Sequence, residues 1–206
     1  MAKNNSAAFA WREALIRHFL NVDLPALGIN VEPQLMRRYW RMLAHLQGQL
    51  FNASTLAGSL GISASSKRLV KSPKVYVRDS GLLHSLLSIR EVNDLLGHPC
   101  TGASWEGLVV EQIANHLPSN ANLSFYRTAA GTEMDAVVEM GQRKIGFETK
   151  FSSAVKVTKG FWQACEDLQL DAAYVVAPVQ EGWPMKAPAK AIPMMDIDRI
   201  LNKTSL

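Results

Sequence analysis

Residues 134–150 read Met134-Asp-Ala-Val-Val-Glu-Met140-Gly-Gln-Arg-Lys144-Ile-Gly-Phe-Glu-Thr-Lys150. The first part is apolar and β-branched and the last part alternates in character, which predicts two β-strands. Between them, Gly141-Gln142 suits a two-residue type II′ turn with glycine at its first central position. The stretch therefore predicts an antiparallel hairpin.

The predicted turn fixes which residues of this hairpin face each other. With a two-residue loop, Met140 faces Arg143 and, further along the strands, Asp135 faces Glu148. Facing Cβ atoms in an antiparallel pair lie about 4.5–5.5 Å apart. Lys150 follows Glu148 by two residues and so shares its face. The sequence predicts two carboxylates opposite each other with an ammonium group beside them.

Such a carboxylate pair is typical of a divalent metal site. Like charges that face each other destabilise a sheet unless a cation compensates, and Mg²⁺ binds one or two carboxylates with waters and a substrate phosphate. The metal lowers the pKa of a bound water. The ammonium of Lys150 can orient that water or stabilise developing negative charge. We therefore predict a Mg²⁺ or Mn²⁺ site for phosphodiester hydrolysis; the alternative is an ordinary solvated hairpin face.

Composition and length limit the class of protein. The chain has 206 residues, of which 48% are hydrophobic and 19% charged, as expected for one large or two small globular domains. No apolar stretch approaches the roughly 18–20 residues of a membrane span, so we expect no membrane partner. The chain start lacks the apolar run of a signal peptide. Cys100 and Cys165 are too few for a disulfide framework, which favours a cytoplasmic location.

The charge is unevenly distributed. Residues 1–99 carry 12 Lys/Arg and 6 Asp/Glu, whereas residues 100–206 carry 10 and 12. A basic half beside a more acidic half favours a module that faces a polyanion, with DNA as the expected partner; an uneven surface without a special role is the alternative. The candidate phosphate contacts in the basic half are Arg37, Arg38, Arg41, Lys67, Arg68, Lys71, Lys74 and Arg78.

Residues 1–90 are predicted to form a helical region. Ala7–Leu20 has apolar residues at helical spacing and ends at Asp23-Leu-Pro25. Pro33 begins another helix. Its apolar stripe includes Trp40 and is a candidate surface for a homodimer.

A partial helix-turn-helix follows in this region. Ser54 is the predicted cap of a short helix that ends near Leu60. The recognition helix that should come next is missing, because residues 64–73 are too short and too basic. Ordinary helix packing is the alternative. Lys74–Arg78 is predicted to be a strand, and a helix capped by Asp79 or Ser80 comes after it.

Residues 91–206 are predicted to form a mixed sheet flanked by helices, which gives an α/β (α+β) fold overall. Residues 93–103 have the composition of a loop. The predicted elements after this loop are a helix at Trp105–Leu117 capped by Ser104, a strand at Leu123–Arg127, the hairpin, a helix at Phe161–Leu168, a buried strand at Ala172–Ala177, an edge strand at Ala191–Met195 and a helical turn at Asp196–Leu201.

Several phrases of the sequence resemble a known family. They are Asp23-Leu-Pro25, Leu43-Ala-His-Leu-Gln-Gly48, Asn52-Ala-Ser-Thr-Leu-Ala57, Leu60-Gly-Ile-Ser63, Lys74-Val-Tyr-Val-Arg-Asp-Ser-Gly-Leu-Leu83, Trp105-Glu-Gly-Leu-Val-Val-Glu111, Phe125-Tyr-Arg-Thr128 and Glu133-Met-Asp135. Together they are similar to the C-terminal domain of prokaryotic AAA-type ATPases, the domain of unknown function DUF4143. The order of elements also resembles the core of the PD-(D/E)xK, or restriction-endonuclease-like, nucleases.

The resemblance implies a winged-helix-like segment followed by a nuclease-like fold. In full-length relatives, a P-loop ATPase domain precedes both. This chain has no Gly-x-x-x-x-Gly-Lys-Ser/Thr sequence, so we expect no ATP bound through a P-loop, and the chain is either a fragment or a stand-alone remnant. The family also has further residues between Ile62 and Lys67, which would hold the recognition helix and wing. Here they are either deleted or omitted from the numbering.

By matching motif positions, the resemblance implies a catalytic set of Glu106, Asp135, Glu148 and Lys150. Glu106 would be a helix carboxylate near the metal, and Lys150 the base or water-orienting group. Asp135 and Glu148 would be metal ligands, with the Thr149 carbonyl as a further one. The positions implied at the phosphate are Arg127 and Gln163. Since many members of the superfamily keep the fold without activity, the two candidate functions are a Mg²⁺-dependent DNA hydrolase and a non-catalytic DNA- or protein-binding module.

Overall fold

A computed structural model describes residues 5–60 and 72–202. The chain folds into two compact units, Met1–Gly107 and Leu108–Leu206. The sequence places the domain boundary after residue 90, whereas residues 91–107 group with the first unit. One reason is a hydrogen bond of 2.8 Å between His84 Nε2 and Ser104 Oγ, which ties the later residues to the earlier helices.

The first unit is built from helices in the part that the structure describes. They are α1 (Asn5–His18), a π-helical turn (Phe19–Asp23), α2 (Leu24–Ala26), α3 (Pro33–His45), α4 (Ala53–Leu60), α5 (Ser80–Leu86), α6 (Val92–Leu96) and the beginning of α7 (Thr101–Asn115). The predicted break at Asp23-Leu-Pro25 is wrong. The chain passes from α1 through the π-helical turn into α2 without a break, and the helical run ends at Ala26, directly after Pro25.

Two helix caps show how local side chains fix the helix starts. Asn52 Oδ1 accepts from the Thr55 N–H at 3.1 Å, so Asn52 caps α4 and the prediction of Ser54 is wrong. Asp79 Oδ1 accepts from the Leu82 N–H at 2.7 Å, which confirms Asp79 as a predicted cap of α5. Each cap satisfies a backbone donor that has no partner inside its helix.

Two further predictions in this unit are corrected. Lys74–Arg78 is not a regular strand, because its described β-pairing consists of isolated bridges from Val75 to Gln47 and from Lys74 to Leu50. The predicted loop after residue 92 contains α6, and α7 already begins at Thr101. The start of α6 is fixed by Asp94 Oδ2, which accepts from the Glu91 N–H at 3.2 Å.

The core of the first unit uses the stripe that was a candidate dimer surface. Its buried apolar residues are Ile16, Leu20, Leu24, Ala44, Leu83 and Leu86, with Met36 and Trp40 packed against them. The rings of Phe19 and Trp40 lie 5.4 Å apart, centroid to centroid. Trp40 therefore packs partly buried within its own unit, and the homodimer through this stripe stays a prediction.

The second unit contains a mixed sheet. Its elements after α7 are β1 (Ala121–Arg127), β2 (Glu133–Met140), β3 (Arg143–Thr149), α8 (Lys159–Asp167), β4 (Ala172–Ala177), β5 (Trp183–Pro184), β6 (Ala189–Pro193), a 3₁₀ turn (Met194–Asp196) and α9 (Ile197–Asn202). The described strands form a six-stranded sheet of order β1-β2-β3-β4-β6-β5. β1, β2 and β3 pair antiparallel, β3, β4 and β6 pair parallel, and β5 pairs antiparallel with β6. The predicted mixed α/β fold is confirmed.

The helix α8 provides the crossover between β3 and β4, as a parallel pair requires. Its residues Phe161, Ala164 and Cys165 are buried against Val137 of β2 and Val175 of β4. β4 has the predicted bounds and is largely buried. The predicted edge strand at Ala191–Met195 is wrong in position, since β6 lies between β4 and β5. No helix among the described residues is long and apolar enough to cross a bilayer.

Candidate metal site

The hairpin of β2 and β3 has the predicted register. The paired residues of β2 and β3 run from Met140–Arg143 to Ala136–Phe147. Gly141 has φ of 60°, a conformation that glycine adopts readily and that suits the first central position of a type II′ turn. The turn chemistry thus sets the pairing of both strands.

A β-bulge lies in the pairing of β1 with β2, beside the far end of the hairpin. In β1, Ser124 and Tyr126 pair with Val137 and Met134 of β2, so β2 takes one more residue than β1 over this interval. Asp135 lies within the bulge, and the paired residues of β2 and β3 end at Ala136–Phe147. Bulges redirect side chains. Beyond Ala136–Phe147, the side chain of Asp135 takes the place of the next backbone pair between β2 and β3.

Thr149 holds the carboxylate of Asp135. The Thr149 N–H and its hydroxyl both donate to Oδ2 of Asp135, each at 2.9 Å. A carboxylate that accepts two such bonds is held in one orientation. Asp135 is therefore held at the end of β3 by the residue that follows Glu148 in the chain.

Glu148 and Lys150 form an ion pair on the same side of β3, as their spacing predicts. Lys150 Nζ lies 2.7 Å from Glu148 Oε1, and the two side chains are 31% and 10% exposed. A short charge-assisted hydrogen bond of this kind is among the stronger ones in proteins. The ammonium group of Lys150 therefore orients a carboxylate that is almost out of contact with solvent.

The electrostatics of Glu148 are unusual for a carboxylate. Burial raises the pKa of Glu148 to about 7, with the charge of Asp135 as the next contribution, while the hydrogen bond and charge of Lys150 oppose the rise. The pKa is raised because the ionised form loses hydration and has a like charge nearby. Added positive charge at this point would stabilise both carboxylates in the ionised form.

Glu133 is a neighbour of the site that the sequence did not single out. Its charge also raises the pKa of Glu148, and its Oε2 lies 3.5 Å from Arg127 Nη1. Strand alternation is the local signal that could have found it, because Glu133 lies two residues before Asp135 and so shares its face. The bulge after Met134 is a tertiary feature without a clear sequence signal.

The donor set fits a hard divalent cation. Asp135 and Glu148 supply carboxylate oxygens, and the Thr149 carbonyl is a further candidate. Within residues 5–60 and 72–202, no group of three or more His, Cys, Asp or Glu residues is placed to hold a metal. Mg²⁺ needs only one or two carboxylates with waters and phosphate, whereas a structural Zn²⁺ needs four protein ligands, usually Cys or His. The residues present therefore fit Mg²⁺ or Mn²⁺.

Glu106 belongs to the first unit, and its partners there are well defined. Its Oε1 accepts from Lys74 Nζ at 3.0 Å and from the Tyr76 hydroxyl at 2.6 Å. The side chain of Lys74 is only 3% exposed, so the prediction that it contacts phosphate is wrong. The implied place of Glu106 near a metal stays a prediction.

The other predicted phosphate contacts differ in their surroundings. Arg38 and Arg41 are exposed on α3, while Arg37 Nη2 lies 2.5 Å from Glu13 Oε2. The side chain of Arg127 is 45% exposed beside Glu133. Gln163 Nε2 donates to Asp167 Oδ1 at 2.8 Å. The predictions for Lys67, Arg68 and Lys71, and for missing residues near 64–67, lie outside the described residues.

The chain is similar to known families and proteins. Residues 101–197 match the model of a family described as "Domain of unknown function (DUF4143)", and residues 1–66 match one described as "Domain of unknown function (DUF8612)". The first match supports the DUF4143 resemblance and includes every residue of the candidate metal site.

Two relatives, described as uncharacterized proteins, come from Mycobacterium bovis and Mycobacterium tuberculosis. Each is 36% identical over 230 residues, which cover 100% of this chain and 51% of the relative. The chain thus spans about half the length of the curated relatives it matches. The matched length of 230 also exceeds the 206 residues of this chain, so the relatives contain residues to which none here correspond.

Proposed function

We propose that the second unit is a metal-dependent phosphodiesterase site that acts on DNA. The observation that carries the proposal is the buried carboxylate of Glu148, whose pKa is raised to about 7 by burial and by Asp135. Strongly perturbed carboxylates next to a specific charge partner mark candidate functional sites. The match of residues 101–197 to DUF4143 is consistent with this function but does not specify it.

In this proposal, Asp135, Glu148 and the Thr149 carbonyl hold Mg²⁺ or Mn²⁺. When bound, the ion supplies Lewis-acid stabilisation of a phosphate and activation of a water. The hydrogen bonds from Thr149 to Asp135 fix one ligand before any metal arrives. Such preorganisation lowers the cost of binding.

Lys150 has two roles in the proposed reaction. Its ammonium group orients Glu148 through the 2.7 Å contact, and it can donate a hydrogen bond to a phosphate oxygen as negative charge develops there. In the hydrolysis, a water loses one proton to the solvent as its oxygen bonds to phosphorus, the bond to the leaving sugar oxygen breaks, and that oxygen gains a proton from the solvent. The positive charge of Lys150 favours the charge distribution of the transition state.

The first unit would supply affinity for the DNA backbone. Arg38 and Arg41 are exposed on α3, and arginines of this kind contribute salt-dependent affinity through phosphate contacts. The link to an AAA-type ATPase is also part of the proposal. The relatives are about twice the length of this chain, which leaves room in them for an ATPase domain.

A cleavage assay with matched lysine variants tests the function. Supercoiled plasmid and a single-stranded oligonucleotide are incubated with Mg²⁺ or Mn²⁺ and with wild type, Lys150→Ala or Lys144→Ala. Lys144 is the control because it lies on the same strand, 3.5 Å from Glu139, with its side chain 44% exposed. We expect the rate to fall at least ~10²-fold in Lys150→Ala and to change little in Lys144→Ala.

Two outcomes of this assay would contradict or change the proposed function. Cleavage that is absent from wild type, or equal in wild type and Lys150→Ala, contradicts a catalytic site. Retained DNA binding without cleavage would instead favour a non-catalytic binding module. Identical purification of the variants controls for a contaminating nuclease.

A further inference from the structure

Parts of three sequence segments that carry the family resemblance contact one another in the first unit. The proposed metal site does not use these contacts. The three segments are Leu43–Gly48 at the end of α3, Lys74–Leu83 before and in α5, and Trp105–Glu111 in α7. The Gly48 N–H donates to the Val75 carbonyl at 2.8 Å. These phrases form a polar junction, which we define by residues Gln47, Gly48, Lys74, Tyr76, Val77, Glu106 and Gly107.

The carboxylate of Glu106 is enclosed within this junction. Lys74 Nζ and the Tyr76 hydroxyl donate to its Oε1 at 3.0 and 2.6 Å. Gly48, with φ of 70°, lies so close that a Cβ there would be 3.2 Å from Glu106 Oε2. A side chain at position 48 would therefore press on the carboxylate as well as adopt a disfavoured backbone conformation.

The second half of the junction is a buried amide. Gln47 is 2% exposed, and its Oε1 accepts from the Val77 N–H at 2.7 Å. Its Nε2 occupies the space above Gly107, where an added Cβ would lie 2.1 Å away. Gln47 thus joins the chain after Lys74 to α7 by a contact that only glycine at position 107 permits.

The burial of Lys74 explains why a carboxylate lies beside it. An ammonium group with a side chain only 3% exposed needs a counter-ion, because an uncompensated buried charge is strongly destabilising. We propose that Glu106 is the structural counter-ion of Lys74 in this polar junction and is not a metal ligand. The pair positions residues 74–77 on α7, directly after the basic stretch that contains Lys67, Arg68 and Lys71 in the sequence.

A double-mutant cycle tests the pairing. The variants are Glu106→Gln, Lys74→Met and the combination of both, with melting temperatures measured at low and moderate salt. Glu106→Gln removes the negative charge that faces the buried ammonium, so we expect Tm to fall by roughly 6–15 °C. Lys74→Met in the same chain removes that ammonium as well and should recover at least half of the loss. Tyr76→Phe removes one hydroxyl donor and should cost only a few °C, about 2–4 °C.

The matched control is the exposed pair Glu139–Lys144, whose side chains are 43% and 44% exposed. The same cycle with Glu139→Gln and Lys144→Met should show almost no coupling, because exposed ion pairs contribute little. If Glu106→Gln is no more destabilising than Glu139→Gln, or if Lys74→Met gives no recovery, the counter-ion role is wrong.

A Mn²⁺ titration separates this role from that of a metal ligand. The probe is Mn²⁺ alone, followed by electron paramagnetic resonance with wild type, Lys74→Met/Glu106→Gln and Asp135→Asn. We expect the double variant to bind Mn²⁺ within about twofold of wild type; loss of a ligand would cost about tenfold or more. A loss of that size in the double variant overturns the proposal. If wild type binds no Mn²⁺, the proposed function fails while the thermal cycle still decides the role of Glu106.

Discussion

Thr149 and Asp135 are joined by two hydrogen bonds to one carboxylate oxygen, both of 2.9 Å. Thr149 lies between Glu148 and Lys150 in the chain, so these bonds bring the acid of β2 to the ion pair of β3. The paired residues of β2 and β3 end at Ala136–Phe147, so the Thr149 N–H bonds the Asp135 side chain where a continued ladder would offer a backbone carbonyl.

Removal of the Thr149 hydroxyl tests this arrangement. Thr149→Val keeps the shape of the side chain but deprives the Asp135 carboxylate of one donor. We expect the free energy of unfolding to fall by about 2 kcal/mol, as for a hydrogen bond to a charged group. Urea denaturation measures the change, and Thr149→Ser is the control because it retains the hydroxyl. Equal stability of the Val and Ser variants would show that the hydroxyl contributes nothing.

The stability of the protein should depend on the titration of Glu148. Its pKa is raised from 4.5 to about 7, so the folded state binds this proton more tightly than the unfolded chain. The corresponding stability is fully present below about pH 4.5 and is lost as the pH rises through about 7. Glu148→Gln should lack this loss, so the stability difference between variant and wild type should change over that pH range.

Urea denaturation without metal, at a series of pH values, measures that dependence. Glu139→Gln is the control, because Glu139 is an exposed acid of the same hairpin. Parallel pH profiles for wild type and Glu148→Gln would contradict the raised pKa of Glu148.

Two glycines of α7 should respond in opposite ways to alanine. At Gly107, an added Cβ would lie 2.1 Å from Gln47 Nε2, whereas at Gly102 an added Cβ would meet nothing within 4 Å beyond its own helix backbone and chain neighbours. Gly107→Ala should lower the free energy of unfolding by about 1–3 kcal/mol, because Gln47 must give up its bond to Val77. Gly102→Ala should raise it by up to about 1 kcal/mol through better helix propensity. Chemical denaturation compares them, and equal effects would contradict the packing of Gln47 on α7.

The arginines of α3 should carry affinity for DNA if the first unit binds it. Arg38→Ala/Arg41→Ala removes two exposed charges and should reduce the slope of log K against log[salt] by about two. Fluorescence anisotropy with a labelled duplex measures the slope. Arg199→Ala is the charge-matched control, since Arg199 is exposed beside Asp196. An unchanged slope in the α3 variant would place DNA binding elsewhere or exclude it.

The sequence predicts those parts of the fold that local chemistry controls. Gly141-Gln142 determines the hairpin register, the apolar run Ala172–Ala177 determines β4, and Asp79 caps α5. The ion pair of Glu148 and Lys150 follows from the two-residue period of a strand. In each case the residues that create the feature lie close together in the sequence.

Other features depend on contacts between distant residues. Lys74 lies in a basic run and is expected at the surface, but Glu106 draws it into a buried pair. The bulge at Asp135 is tertiary in the same way. The short helix α6 was missed although a local signal existed, the reciprocal placement of Glu91 and Asp94 at its start.

Binding of Mn²⁺ to the purified chain at about pH 8 tests the proposed metal site most directly. This pH is above the raised pKa of Glu148, so the proton does not compete with the metal. We predict roughly one Mn²⁺ per chain for wild type and for Glu139→Gln. For Asp135→Asn, we predict an affinity at least about tenfold lower than that of wild type. Absence of binding by wild type, or equal affinity in wild type and Asp135→Asn, would contradict a metal held by Asp135 and Glu148.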